Sequence, residues 1–401
     1  MIENELDTPY YVFYANDFID NYLDLENSMK AVYPNYQIAY SFKTNYTPAV
    51  CSIVKNLGGY AEVVSDMEYL LALKIGFPPK HIVYNGPGKG VMLKHCIMNE
   101  GFLNIDNLRE LEEICSIARA NPRRRLEFGI RVNFDIGNDL HSRFGLSSEK
   151  NGDFASALDT IGRMPNLRLK GLHFHISRAR GLDAWKRRID GILQLVENNN
   201  LDNLEYIDLG SGMYGKLDLE LQDQFGDTPS FSDYAKVVAG EMAAFYSKRA
   251  SKPMLITEPG TTVISKYFHV FMRVLDIKVI RGKSFALLDG SFHNVGEICG
   301  LKKIPIRIKR HKSGKFYENL DFVGYTCLEQ DIIYSGFDGE LSVGDVVEIC
   351  NVGGYSIVDK PPFIHPDIPI YMDLNGHTTC IKREQSLNDI FAPYSFDPVE
   401  V

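Results

Sequence analysis

Between about residue 17 and about residue 265, short apolar runs with strand character alternate with segments of helical spacing. This alternation narrows the fold more than any other feature of the chain. The strand-like runs are Tyr36–Tyr40, Gly59–Val64, Ile82–Tyr84, Leu103–Ile105, Leu126–Phe134, Leu169–Ile176, Leu204–Leu209 and Met254–Thr257. Helical spacing is clearest over Phe18–Val32, Thr47–Leu57, Asp66–Lys74 and Leu108–Ala120, and Gly76-Phe77-Pro78-Pro79 stops the third of these. Strands separated by helices pair in parallel, and a count near eight predicts an α/β fold closed into a (β/α)8 barrel over residues 17–265, not an open doubly wound sheet. After Ser265 the runs follow one another without helices: Phe268–Val279, Ser284–Leu288, Ile304–Lys309, Val346–Cys350 and Ile370–Asp373. Residues 266–401 are therefore expected to form an all-β domain, joined by an N-terminal strand from residues 1–16.

The composition, 45% hydrophobic and 24% charged, is that of a globular protein with a sizeable core. A net charge of −9 argues against a nucleic-acid partner, which needs a concentrated basic face. The one dense basic cluster, Arg123-Arg124-Arg125, follows Asn121-Pro122 and reads as a solvated loop. No 18-residue apolar stretch is present, so no membrane span is expected. The acidic start, Met1 to Asp7, does not read as a signal peptide. Seven scattered cysteines lack metal-ligand spacing, and no metal site is expected from them. They fit reduced thiols and a cytoplasmic location.

Lys43, in Tyr40-Ser41-Phe42-Lys43-Thr44-Asn45, stands where the first strand gives way to its loop. That is where barrel enzymes carry out their chemistry. A lysine in a walled pocket loses hydration, and its neutral amine can attack a carbonyl, which is how a lysine holds an aldehyde cofactor. The bland alternative is a snorkelling strand-end lysine. Further along stand Glu62-Val63-Val64-Ser65-Asp66-Met67-Glu68, Gly86-Pro87-Gly88-Lys89, Arg131, Ser142-Arg143-Phe144-Gly145, His173-Phe174-His175, Gly210-Ser211-Gly212 and Glu258-Pro259-Gly260. Cys327-Leu328-Glu329-Gln330-Asp331 and Gly353-Gly354-Tyr355 complete the series.

This series, in this order and over nearly the whole chain, resembles the pyridoxal-phosphate (PLP) decarboxylases of the alanine-racemase-like barrel fold, above all the diaminopimelate and ornithine decarboxylases. The resemblance implies a PLP-binding (β/α)8, TIM-like barrel and a role for each motif. Lys43 matches the lysine that holds PLP, and Glu258 the carboxylate that keeps the pyridine nitrogen protonated as an electron sink. His175 matches the imidazole on the cofactor's face. Strand alternation would turn His173 to the other side of the sheet, so His173 is expected to be structural. Gly210, Ser211 and Gly212 match the loop whose N–H groups hold the phosphate, Tyr355 the tyrosine near it, and Arg131 the arginine near the ring. Glu62 and Glu68 match acids that arrange the cofactor side of the pocket. Cys327 matches a cysteine that a partner subunit delivers, placed to return a proton after carbon dioxide leaves. The resemblance thus implies a homodimer with shared active sites.

Three departures stand out. Where the family has an arginine after Glu-Pro-Gly, this chain has Thr261, then Thr262, after Gly260; Arg178, in His175-Ile176-Ser177-Arg178, is expected to supply the missing cation for the phosphate. The acid that follows the family's cysteine and pairs with a distal substrate ammonium is here Leu328. The segment that grips the distal end of diaminopimelate is not apparent. An unpaired buried ammonium costs several kcal/mol. The expected reaction is therefore removal of the α-carboxylate from an amino acid, or a derivative, whose distal end is not a free ammonium, with Cys327, Leu328 and Tyr355 on the substrate. The competing readings are a racemase on the same fold and a non-catalytic PLP-binding or regulatory relative. Racemases pair the ring nitrogen with arginine, and inactive relatives lose the lysine or the cysteine.

Overall fold

The computed structural model describes residues 6–137, 141–226, 228–296, 298–360 and 362–396. The chain divides into two compact units, one of residues 20–216 with 227–263, the other of the chain up to Ile19, residues 217–226 and everything from Ile264 onward.

The first unit is a closed parallel barrel. Its strands are β1 (Tyr36–Ser41), β2 (Tyr60–Val63), β3 (Ile82–Tyr84), β4 (Phe102–Ile105), β5 (Leu126–Asn133), β6 (Leu167–His173), β7 (Tyr206–Asp208) and β8 (Met254–Thr257). Each pairs in parallel with the next, and β8 returns to β1 through Leu255↔Tyr36 and Thr257↔Ile38. A short strand, Leu146–Ser147, adds to β5. Ala39, Val83, Phe102, Tyr206 and Ile256 pack together in the interior. Tyr206 fits because Gly171 faces it, where a Cβ would run into the ring. Its hydroxyl donates to Asn104 Oδ1 at 2.6 Å, so the one polar atom of a large buried ring is satisfied.

Local signals set the helix limits. Asp66–Ile75 starts on Ser65, whose hydroxyl accepts from Glu68 N, and ends at Gly76 in the left-handed conformation, with φ 95°. Leu108–Ala120 starts on Asn107, which accepts from Glu110 N. Leu182–Asn198 buries Trp185, Ile189, Ile192, Leu193 and Val196 at three- and four-residue spacing, together with an arginine, Arg188.

The second unit is built on a mostly antiparallel sheet. Its order is Ile332–Leu341, Lys315–Val323, Lys283–Leu288, Phe268–Ile280, Tyr10–Tyr14, Ile370–Leu374 and His377–Lys382. Val346–Ile349 pairs with Phe268–Ile280 and carries Ile306–Lys309 on its other side. Tyr10–Tyr14 lies between Phe268–Ile280 and Ile370–Leu374, with Tyr10 stacked on Phe271 at 5.0 Å and Phe13 on Phe268 at 4.7 Å. Lys315–Val323, Ile332–Leu341 and His377–Lys382 have no counterpart in the sequence reading. Their outward residues are largely exposed, so they lack the apolar run that marks a buried strand. Among the described residues no helix is long and apolar enough to cross a membrane.

Candidate active site

Every barrel strand delivers a polar side chain near its C-terminal end, within two residues on either side: Lys43, Glu62, Asn85, Asp106, Arg131, His173, Asp208 and Glu258. Parallel pairing makes this possible, because it brings all eight carboxyl ends to one face. Lys43 lies in the single 3-10 turn Phe42–Thr44 that follows β1. Its Nζ is 2.5 Å from Glu62 Oε2 and 2.8 Å from Ser41 Oγ. Ser41 and Glu62 face each other in the β1–β2 register, and the serine hydroxyl donates to the same carboxylate oxygen at 2.7 Å. Gly260 packs against Thr44 and Ser41 behind this turn.

Asn85, absent from the sequence reading, ties the two acids together. Its amide donates to Glu62 Oε1 at 3.2 Å and to Glu258 Oε1, and its carbonyl accepts from Asn104 Nδ2 at 2.9 Å. Glu258 is buried, with His173 Nε2 at 3.4 Å. Burial acts to raise its carboxyl, but the neighbouring His173 ring and the Lys43 amine outweigh burial and hold it well below the usual carboxylate range. Neighbouring Asp208 goes the other way: burial, and then the Glu258 charge, push it well up. The pair therefore holds its proton on Asp208 and its negative charge on Glu258.

His173 thus belongs to the site. Alternation was expected to separate it from His175, but β6 ends at His173 and the loop beyond keeps no alternation. His175 Nδ1 accepts from Ser211 N at 3.1 Å, and its carbonyl accepts from Arg131 at 3.1 Å. Burial pushes the His175 ring well below its ordinary value, so it stands neutral and can accept this bond. Arg131 also pairs with Asp106 at 3.3 Å and lies 4.6 Å from the centre of the Phe144 ring. Lys89 serves the structure: its fully buried ammonium pairs with Glu110 at 3.0 Å and donates to Gly86 O. Glu68 accepts from Val64 N at 2.7 Å, and burial raises its carboxyl to about 7.

The Gly210–Gly212 loop is shaped by its surroundings. Gly210 N donates to Asp208 Oδ1 at 2.9 Å and its carbonyl accepts from Glu258 N at 2.8 Å. Its φ of 65° and its closeness to the His175 ring, which leaves no room for a Cβ, require glycine. Thr262 Oγ1 donates to Met213 O at 2.9 Å, while Thr261 opens the short helix Thr261–Ile264. Arg178 is exposed, with φ 64°. The buried cation at these loops is Arg188, which sequence reasoning missed because it sits on the apolar face of a helix.

Cys327, Leu328 and Tyr355 belong to the sheet unit. Cys327 is exposed and Leu328 half-buried, in a loop tied to Asp331, whose Oδ2 accepts from Thr326 N and Oγ1. Tyr355 is 45% exposed, with φ 65°.

The donor set of the barrel fits PLP. It offers an amine beside a buried carboxylate, an ionised acid deep in the barrel, and a glycine loop whose cradle a Cβ would fill. The profile of the family described as "Pyridoxal-dependent decarboxylase, pyridoxal binding domain" matches residues 23–265. The diaminopimelate decarboxylase of Bacteroides thetaiotaomicron is 27% identical over 367 residues, covering 87% of this chain and 91% of the relative. That of Aquifex aeolicus is 24% identical, over 96% of this chain and 91% of its own. Among solved structures, the diaminopimelate decarboxylase of Methanocaldococcus jannaschii with L-lysine superposes with a TM-score of 0.86 at 22% identity, over 99% of this chain and 94% of that one. The Helicobacter pylori enzyme with L-lysine gives 0.83 at 22%, over 98% of both chains.

Proposed function

Because this chain belongs to the pyridoxal-dependent decarboxylases, we propose that it removes the α-carboxylate of an amino acid, or a derivative, whose distal end is neutral, acylated or anionic. The observation that carries the reading is the hydrogen-bonded chain Lys43–Glu62–Asn85–Glu258, which links an amine to a buried, ionised acid. Relatives named diaminopimelate decarboxylases support loss of an α-carboxylate, and the L-lysine in two of the solved structures supports an amino-acid ligand.

Lys43, Glu258, Arg131, His175, Gly210, Ser211, Gly212, Gly260 and Thr261 would hold PLP. When bound, PLP supplies the electron sink that takes up the electrons left as carbon dioxide departs. The chain's own residues then manage charge and protons. Glu258 stays ionised because Asp208 takes the shared proton, and an ionised acid favours a cationic ring nitrogen; this tells against a racemase. Glu62 and Ser41 hold the Lys43 amine in place, and Asn85 bridges the two carboxylates. Cys327, from the second subunit of a homodimer, holds the proton to be returned. Leu328 offers a distal ammonium no counter-charge, which excludes the standard diamines as best substrates. All seven cysteines are free thiols, which fits a reducing cytoplasm.

Carbon dioxide release from the PLP-loaded protein, over a panel of amino acids, tests the proposal. Turnover of substrates with neutral, acylated or anionic ends, faster than that of meso-diaminopimelate or ornithine, is expected. Rapid turnover of either diamine overturns the distal-group assignment, and release from none overturns the reaction.

A further inference from the structure

Arg188 has no exposed surface and sits on the apolar face of the Leu182–Asn198 helix. A guanidinium there is costly unless its charge is answered. Among the described residues no carboxylate pairs with it, and its hydrogen bonds go to backbone carbonyls: NH1 to Ser211 O at 2.7 Å, NH2 to Ile176 O at 3.0 Å and Ala179 O at 2.6 Å. Its Nε is buried without a partner. The guanidinium lies 4.4 Å from the centre of the Trp185 ring, and Trp185 Nε1 donates to Gly212 O at 3.2 Å. Burial pushes Arg188 down to about 9, so it remains cationic at neutral pH.

A trans peptide points its N–H opposite its carbonyl. Holding the carbonyls of Ser211, Ile176 and Ala179 therefore turns the N–H groups of Gly212, Ser177 and Arg180 away from the guanidinium. None of these three donates to a protein acceptor among the described residues. Gly210, Gly212 and Arg178 all have positive φ, at 65°, 110° and 64°, in the same two loops. Such left-handed residues curl successive N–H groups into a concave anion site.

We propose that Arg188 is a positioning residue for the cofactor's phosphate. It fixes the two loops through their carbonyls, aims their N–H groups at the dianion, and supplies from behind a positive charge that Thr261 does not. The proposal deepens the reading of Gly210–Gly212 as the phosphate cradle and rests on it. Charge acts strongly across one peptide unit in a dry interior, so a direct contact is not required.

The test compares PLP with pyridoxal, which has the aldehyde and ring but no phosphate. Trp185, the chain's one tryptophan, reports binding to the full-length protein by its fluorescence. Wild type is expected to hold PLP more tightly than pyridoxal. Arg188→Met should lose roughly 10- to 100-fold in PLP affinity, by analogy with the loss at metal sites whose ligand-orienting partners are removed, with pyridoxal affinity unchanged. Arg188→Lys, which keeps the charge, should recover part of the loss, and it decides the matter by the same ratio if the methionine variant does not fold. A parallel fall for both ligands, or no fall for PLP, overturns the proposal. A wild-type protein that binds both ligands alike overturns the cradle reading first, and the proposal with it.

Discussion

Lys43 Nζ and Glu62 Oε2 lie 2.5 Å apart, with the carboxylate almost fully buried at the end of the strand next to the lysine's own. One strand pairing thus joins an amine and an acid nineteen residues apart. Reduction of the PLP-loaded protein with borohydride should attach the cofactor to the peptide containing Lys43. In Lys43→Ala the mass spectrum should show no attachment; a label on another lysine would refute the assignment.

Asn85 bridges Glu62 and Glu258 with two hydrogen bonds donated by one amide. Asn85→Ala leaves buried acceptors on both acids unsatisfied and should lower stability by about 1–3 kcal/mol. Asn85→Asp adds a third carboxylate and should cost more, a few kcal/mol. Thermal or urea unfolding measures both, and equal losses would mean that charge is not at issue there.

Glu68 makes stability depend on pH in a defined direction. Its carboxyl is raised to about 7, chiefly by burial, from an ordinary value of 4.5. Between those values the folded protein keeps a proton that the unfolded chain has released. Stability therefore falls as pH rises through this window, by up to about 3 kcal/mol, and levels off above it. Glu68→Gln should remove that slope in urea-unfolding curves taken from pH 4.5 to 7.5. An unchanged slope would place the proton elsewhere.

Leu328 sets substrate charge if the proposed function is right. Leu328→Glu should raise kcat/KM for a diamine substrate at least tenfold, since a paired distal ammonium is worth about 1.5–3 kcal/mol. It should lower kcat/KM for the wild-type substrate. A variant inactive on every substrate yet still loaded with PLP would mean that this loop does not read the distal group.

The proposed sharing of the site between two subunits predicts a concentration-dependent enzyme. Specific activity should fall on dilution in step with dissociation measured by sedimentation. Mixing Lys43→Ala with Cys327→Ala should recover part of the activity that each lacks. Active monomers, or no recovery on mixing, would place Cys327 outside the reaction.

The barrel was legible because period and length carry it. Buried parallel strands are continuous apolar runs, and helices between them show their own spacing and stop signals such as Gly76, so residues local in sequence reveal local structure. The motifs at the strand ends were legible for the same reason: each is short. Three solvent-facing strands were not, because an exposed strand has too little apolar surface to stand out. The positions of Asn85, Asp208, His173 and Arg188 also needed the folded chain. Asn85 is an ordinary residue until closure brings Glu62 and Glu258 within reach of one amide. Asp208 is a separate acid until burial beside Glu258 decides which carboxyl keeps the proton. His173 was set aside by a strand period that the chain abandons at that residue. Arg188 carries no signal of its own in the sequence, and only packing against carbonyls of two loops gives its charge a role. Sequence alone determined residue types and periodicities, which are local properties. Tertiary structure decided partners and protonation, because both depend on distance and dielectric between groups far apart in the chain.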